Sequence, residues 1–170
     1  MSLFGSVLGR RLGVLGLLAL CLGGTKAMAA NENTLRDRYL ISEAVSEYAY
    51  LWDDKDADAF AQLFTSDSTI EWRFGDGSKS KAVSGREQIL DYAKNAMADR
   101  IGEKQSRHHF SNLVFREISS ERAVTQHMML VTHQIPGGNL ELVSTGTYQI
   151  EWMLVDGKWL IKKRTLYLDG

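Results

Sequence analysis

Apolar residues recur at helical spacing from Leu35 to Trp52: Leu35, Tyr39, Leu40, Ala44, Val45, Tyr48, Leu51 and Trp52, with Asn33 or Thr34 placed to cap the first turn. A shorter helix is predicted over 57–64, presenting Phe60, Leu63 and Phe64. A third is predicted over 86–98, with Ser84 as its cap and Ile89, Leu90, Ala93 and Met97 as its apolar stripe. Between the second and third, Thr69 to Trp72 reads as a short strand and 75–84 as a polar, glycine-bearing loop. After residue 106 the period switches to two, and strands are predicted over 107–118, 122–135, 139–154 and 158–168. Ser119-Ser120, Pro136-Gly137-Gly138 and Asp156-Gly157 supply the turns, and an Asp-Gly pair between alternating runs is a strong hairpin signal. Helices followed by an antiparallel meander make an α+β plan, with a curved sheet wrapped over the helices and a space between the layers. A pocket there would be apolar, with a few polar groups converging on it.

The amino-terminal residues stand apart from this pattern. Residues 1–29 read as a secretory signal, with Arg10 and Arg11 ahead of the apolar run Leu12 to Gly24 and a small-residue site at Ala27-Met28-Ala29. The run is shorter than the roughly 20 apolar residues of a membrane span, so a retained anchor is the lesser alternative. Twin-arginine export fits the flanking residues poorly, and Leu20 is too bulky to precede a lipid-modified Cys21. The expectation is an exported protein, periplasmic or secreted, with one domain over 30–170 and no membrane association once the signal is removed. Removal takes three basic residues and no acid, which leaves 17 basic against 21 acidic residues, a net charge of −4. A mildly acidic domain without a basic run is a poor nucleic-acid binder. Cys21 is the only cysteine and leaves with the signal, so the domain relies on its core rather than on disulfides.

Candidate chemistry concentrates in RHHFSNLVF, from Arg107 to Phe115, read together with the segment from Tyr48 to Asp67. In an uninterrupted strand successive side chains alternate, which puts His108, Phe110, Asn112 and Val114 on one face and His109, Ser111, Leu113 and Phe115 on the other. One histidine at most therefore faces a given pocket, and apolar residues on both faces suggest that both are covered. A histidine can take a proton at neutral pH if a carboxylate fixes its tautomer and supports the imidazolium that forms. Asp53, at the end of the first helix, is the candidate for that carboxylate, and the phenol of Tyr48 could donate to a substrate oxygen. Each has a plainer alternative. The run Asp53-Asp54-Lys55-Asp56 could be a solvated helix end or a cap for the second helix, His108 a core histidine bonded to a backbone carbonyl, and Tyr48 a core tyrosine. His127 and His133 share a parity but lie roughly 20 Å apart along a strand, so they cannot both hold one small substrate. No HExxH, paired cysteines, nucleophile elbow or glycine-rich cofactor loop occurs, which favours chemistry without metal or cofactor.

Tyr48-Ala49, Asp53, Asp56, Phe60 and Leu63-Phe64, then Gly85-Arg86, His108 to Asn112, and Trp159 to Arg164 occur in an order that resembles the SnoaL-like branch of the nuclear transport factor 2-like superfamily. That resemblance covers nearly all of the chain after the signal. It implies a cone-shaped α+β barrel, N-terminal helices packed into a curved and mostly antiparallel sheet, with a deep pocket and often a homodimer through the sheet's outer face. Among scytalone dehydratase-type and bile acid 7-alpha-dehydratase-type members it implies a pocket aspartate and histidine, which match Asp53 and His108. Tyr48 matches a pocket tyrosine, His133 a second pocket histidine, and Arg164 a basic position that could bind an anionic substrate group. Lys162-Lys163-Arg164 could equally be a solvated edge. Trp52, Trp72, Asn112 and Met129 are candidate substrate contacts, within a wider set that includes Phe74, Met128 and Trp152. The function expected is a cofactor-independent acid/base enzyme acting on a hydrophobic small molecule, a dehydratase or other lyase rather than an isomerase. The competing class is a ligand-binding or scaffold protein of the same fold.

Overall fold

In the computed structural model of the chain, residues 15–76 and 78–169 are described, with side chains from residue 32 onward except at 79 and 80. Arg10 and Arg11, the charged start of the expected signal, lie outside the described residues. The chain divides into two units, residues 1–36 and 37–170. Helix α1 (Leu15–Asp53) begins in the first and ends in the second. Asn33 and Thr34 lie inside α1 instead of capping it, because the helix already runs from Leu15 through the Gly23-Gly24 pair. Among the described residues no helix is long and apolar enough to cross a membrane.

The second unit is a mixed α+β fold. The last turns of α1 lead into α2 (Ala57–Gln62), β1 (Phe64–Arg73), β2 (Lys79–Ser84) and α3 (Arg86–Asn95). A π-helical turn (Ala96–Ile101) then precedes β3 (Gln105–Ile118), β4 (Arg122–Gln134), β5 (Leu140–Val155) and β6 (Lys158–Leu168). The six strands form one open sheet in the order β2-β1-β6-β5-β4-β3, antiparallel throughout except where β1 runs parallel to β6. Residues 79–84, expected as loop, are the edge strand β2, which pairs with β1 from Thr69↔Ser84 to Arg73↔Lys79. A polar strand with one exposed edge has too weak an apolar alternation for the pattern to register it. The residue before α3 is Gly85, with φ 89, and Ser84 bonds the Thr69 hydroxyl instead of capping the helix. Glycine fits here because the chain leaves an edge strand and enters a helix through a positive φ that a Cβ would oppose.

Ile41, Val45, Tyr48 and Trp52 follow one another at helical spacing along α1 and are all buried in a core shared with Ile150, Trp152 and Ile161 of the sheet. Phe60 of α2 sits among Tyr48, Trp52 and Phe64 at ring distances of 4.9, 5.0 and 5.2 Å. Such edge-to-face and tilted contacts hold the helices against the sheet and fix the directions of Tyr48 and Trp52.

The alternation expected along β3 breaks at Asn112, whose φ is 56. Ser111 pairs with Met128 and Val114 with Gln126, so Asn112 and Leu113 together oppose His127 alone. This bulge reverses the parity that follows. Leu113 and Phe115 pack against the core on the same side as His108 and Phe110, while Val114 is exposed. The opposite side of β3 and β4 is open, with Val114, Met128 and Leu130 exposed on it. Within one chain, only the inner face of β3 is covered, because the bulge turns Leu113 and Phe115 inward and leaves Val114 outside.

Candidate active site

The site begins where α1 stops. Asp53 is the last residue of the helix, Lys55 turns the chain with a φ of 62, and the Asp56 side chain caps α2 by accepting from the Ala59 N–H at 2.9 Å. The acidic run is thereby divided, with Asp54 and Asp56 exposed and Asp53 buried against the start of β3. One oxygen of Asp53 accepts from Ser106 Oγ at 2.7 Å and lies 2.7 Å from His108 Nδ1. The other accepts from the His108 backbone N–H at 2.7 Å, and Gln105 Nε2 donates to the Asp53 carbonyl at 3.0 Å. Burial alone would raise the Asp53 pKa, but the hydrogen bonds and charge of His108, with the Ser106 bond, outweigh it and hold the carboxyl below its usual value. An ionised carboxylate can only accept, so His108 Nδ1 carries the proton and donates it. In the neutral form of His108 the lone pair of Nε2 is free for another partner.

His108 lines a cavity of about 750 Å³ between the sheet and the helices. Of the residues expected at a pocket, Tyr48, Trp52, Trp72, Met129, His133 and Arg164 line it as well. His108 stands between Trp52 and Phe110, at ring distances of 6.1 and 5.8 Å. His109 points to the other face, where Nε2 lies 3.2 Å from Thr132 Oγ1. A chamber of this size with an apolar wall is within the range that encloses a small organic molecule.

Arg164 is buried, with its guanidinium 4.7 Å over the Trp72 ring and 5.0 Å over that of Tyr148. Its charge also acts on the Tyr48 hydroxyl, and the Tyr48 ring stands 5.8 Å from that of Tyr148. Burial pushes the Tyr48 phenol well above its usual value, with Arg164 opposing, so Tyr48 stays a neutral hydroxyl. Burial shifts Tyr148 upward in the same way. The expectation of a solvated edge fails, since β6 lies inside the sheet between β1 and β5, Arg164 is buried, and the half-buried Lys162 and Lys163 pair with Asp67 and Glu71. Alternation separates Lys163 from Arg164, and Lys162 is taken out of it by the bulge that leaves this residue without a partner between Lys163↔Glu151 and Ile161↔Trp152.

His133 lines the cavity, and burial, assisted by the Lys104 charge, lowers its pKa against the pull of Glu141. His127 lies deeper and is not part of the lining. It is 2% exposed, and both ring nitrogens lack a hydrogen-bond partner. Desolvation takes its pKa down to about 4.

Asn112 is not at the pocket. It is exposed and donates to the Met128 sulfur at 3.2 Å, because the bulge that it begins turns it to the outer face. Phe74 and Met128 are likewise exposed, and Trp152 is a core residue whose Nε1 donates to Thr125 Oγ1 at 2.8 Å. The sequence reading missed Ser106, Tyr92, Arg100, Lys104, Glu141 and Tyr148. Two carried a usable signal: Ser106 shares strand parity with His108, and Tyr148 shares it with Ile150 and Trp152. Tyr92, Arg100 and Lys104 reach the cavity from α3, the π-helical turn and the loop after it, and Glu141 from the exposed start of β5. Among the described residues no group of three or more His, Cys, Asp and Glu side chains is placed to hold a metal ion.

The profile of the SnoaL-like domain family matches residues 33–165. Solved structures of the same fold include an NTF2-like protein with a cystatin-like fold from Novosphingobium aromaticivorans, with TM-score 0.71 and 18% identity over 83% of this chain and 87% of that one. A beta subunit from the same organism, provisionally described as part of an aromatic-ring-hydroxylating dioxygenase, gives 0.70 and 16% over 80% and 91%. A third protein of that organism, provisionally named a scytalone dehydratase, gives 0.64 and 21% over 82% and 89%. At these identities the likeness is one of fold. No curated protein sequence matches the chain.

Proposed function

The chain belongs to the SnoaL-like domain family, and from that membership and the cavity we propose that it is a cofactor-independent acid/base enzyme, a lyase of dehydratase type or an isomerase, acting on a hydrophobic small molecule. One observation carries the reading: Asp53, ionised and buried, lies 2.7 Å from Nδ1 of a histidine whose ring lines the chamber. His108 Nε2 then removes a proton from a carbon next to an activating group, and the imidazolium that forms shares its charge with Asp53. Tyr48, polarised by Arg164 and kept neutral, donates to a substrate oxygen and favours an enolate or the departure of a hydroxyl. His133, on the same wall, is the second candidate to assist that hydroxyl. In a lyase step the proton and the hydroxyl leave as water, and in an isomerase step His108 returns the proton elsewhere on the same molecule.

The test is a screen of cyclic and aromatic carbonyl and β-hydroxycarbonyl compounds in deuterium oxide, followed by NMR. Loss of water, a shifted double bond or enzyme-dependent deuterium incorporation supports the enzyme. Tight binding of several compounds without any of these would place the chain among the non-catalytic binders of the fold.

Two further proposals accompany this reading. The protein is exported after cleavage behind Ala29, and the mass of the protein recovered from a bacterial periplasm is expected to correspond to a start at Ala30; an intact amino terminus there would refute it. The exposed apolar side chains Val114, Met128 and Leu130 form the centre of a homodimer interface on the sheet's outer face. Multi-angle light scattering is expected to give a dimer mass for the native protein and a monomer mass for Met128→Asp combined with Leu130→Asp, whereas a native monomer removes the idea.

A further inference from the structure

We infer that the molecule held in this cavity is an organic anion, a hydrophobic body bearing one carboxylate, and that the carboxylate sits against Arg164. The inference rests on the reading that the cavity holds the substrate, and it adds the substrate's charge class and the place where that charge is bound.

A guanidinium cannot lose its proton in a protein, so Arg164 carries a full positive charge while only 2% exposed. Buried charges are normally matched by an opposite charge. Arg164 is not: among the described residues no carboxylate forms a salt bridge with it, and its Nε and Nη1 have no hydrogen-bond partner. What surrounds it is neutral. The Trp72 and Tyr148 rings stack on it, and Tyr48 meets it as a hydroxyl. Neither phenol can serve as an internal counter-ion, because burial moves both away from ionisation. The adjacent residues of β6 make the contrast plain, since Lys162 and Lys163 are far more exposed and each has its acid, Asp67 and Glu71. A strand that pairs its solvated cations and leaves its buried one unpaired has kept a place for an anion from outside.

The approach to the cavity points the same way. Arg100 and Lys104 are part of its lining, and Glu141 is the one acid among the lining residues, 3.9 Å from Lys104. A chamber with three permanent cations and one carboxylate on its wall attracts anions and gathers them at its mouth. The aromatic wall formed by Trp52, Trp72 and Tyr92 takes the apolar body. Metal chelators and inorganic anions lack that body, so the geometry favours an amphipathic monocarboxylate.

The experiment is isothermal titration calorimetry on the full chain with benzoate, cinnamate, 2-naphthoate and anthracene-9-carboxylate, each beside its uncharged methyl ester. At least one acid is expected to bind at least tenfold more tightly than its ester, by a margin that shrinks with added salt. Arg164→Met is expected to abolish that margin while leaving the ester's affinity within about twofold, and Arg164→Lys to restore part of it. If Arg164→Met does not fold, Arg164→Gln and the native acid-to-ester ratio decide. An ester bound as tightly as its acid across the series, no binding by any acid, or a margin that survives the loss of Arg164 overturns the inference. His108→Ala is expected to keep the margin. Failure of catalysis thus shows as absent deuterium exchange with an intact acid preference, and failure of this inference as the reverse.

Discussion

Replacing His108 by alanine is expected to slow proton exchange or water loss, on whichever compound the screen identifies, by about 10²–10⁴-fold, the range supplied by one positioned general base. The loss should appear in kcat, with binding little changed, because the side chain acts on the proton in flight and not on the body of the ligand. Asp53→Asn makes a sharper test. The amide keeps the shape of the carboxylate, but it can donate to Nδ1 and so favour the tautomer that buries the proton on Nε2, where the base must be free. It also removes the negative charge that steadies the imidazolium. A large drop in kcat is expected, with binding little changed. Circular dichroism and a melting curve confirm that each variant is folded. Full activity in Asp53→Asn would show that the 2.7 Å contact with His108 only holds β3 against α1.

Acidification is expected to cost the native fold about 3 kcal/mol between pH 7 and 4 through His127 alone. Its folded pKa is lowered from 6.5 to about 4, and each unit is worth about 1.4 kcal/mol. The unfolded chain therefore binds this proton more readily than the folded one. Stability is complete above about pH 6.5, falls as the pH drops toward 4, and loses nothing further from this residue below that point. Asp53 acts in a different window. Its folded pKa is depressed, so its contribution is present above the usual carboxylate value of about 3.9 and is lost only as the pH falls further. Urea unfolding at half-unit steps of pH separates the two, and His127→Leu is expected to flatten the curve between pH 6.5 and 4. The ring lies 4.6 Å from Phe110 and 5.4 Å from Tyr148, so leucine meets an apolar surround. With two unpartnered nitrogens removed, the variant should be no less stable than the native protein at pH 7. An unchanged slope in His127→Leu would assign the acid sensitivity elsewhere.

Most of the fold was legible in the chain because its two halves carry different periods. Helical spacing from Tyr39 to Trp52 and alternation from Gln105 to Leu168 both follow from one-sided burial, and the Asp156-Gly157 turn announced the last hairpin. What escaped was local geometry without a period. The strand β2 is short, polar and at an edge. The bulge at Asn112 needs a positive φ that asparagine tolerates but does not advertise, and one such residue reversed the face of everything after it up to Phe115.

The candidate site divides along the same line. From sequence alone came the residue types able to do proton chemistry, the separation of His108 from His109 by strand parity, and the placing of Asp53 at a helix end, because each depends only on neighbours within a few positions. Tertiary structure alone decided which of these meet. Asp53 and His108 are far apart in the chain, and their contact exists because α1 ends against the first residues of β3. Arg164 was indistinguishable from Lys162 and Lys163 by composition. Its burial beneath Trp72 and Tyr148, with no carboxylate to balance it, arises only when strands distant in sequence close over one another. Local backbone geometry sets the direction of a side chain, but its electrostatic surroundings are assembled from segments that only the complete fold brings together.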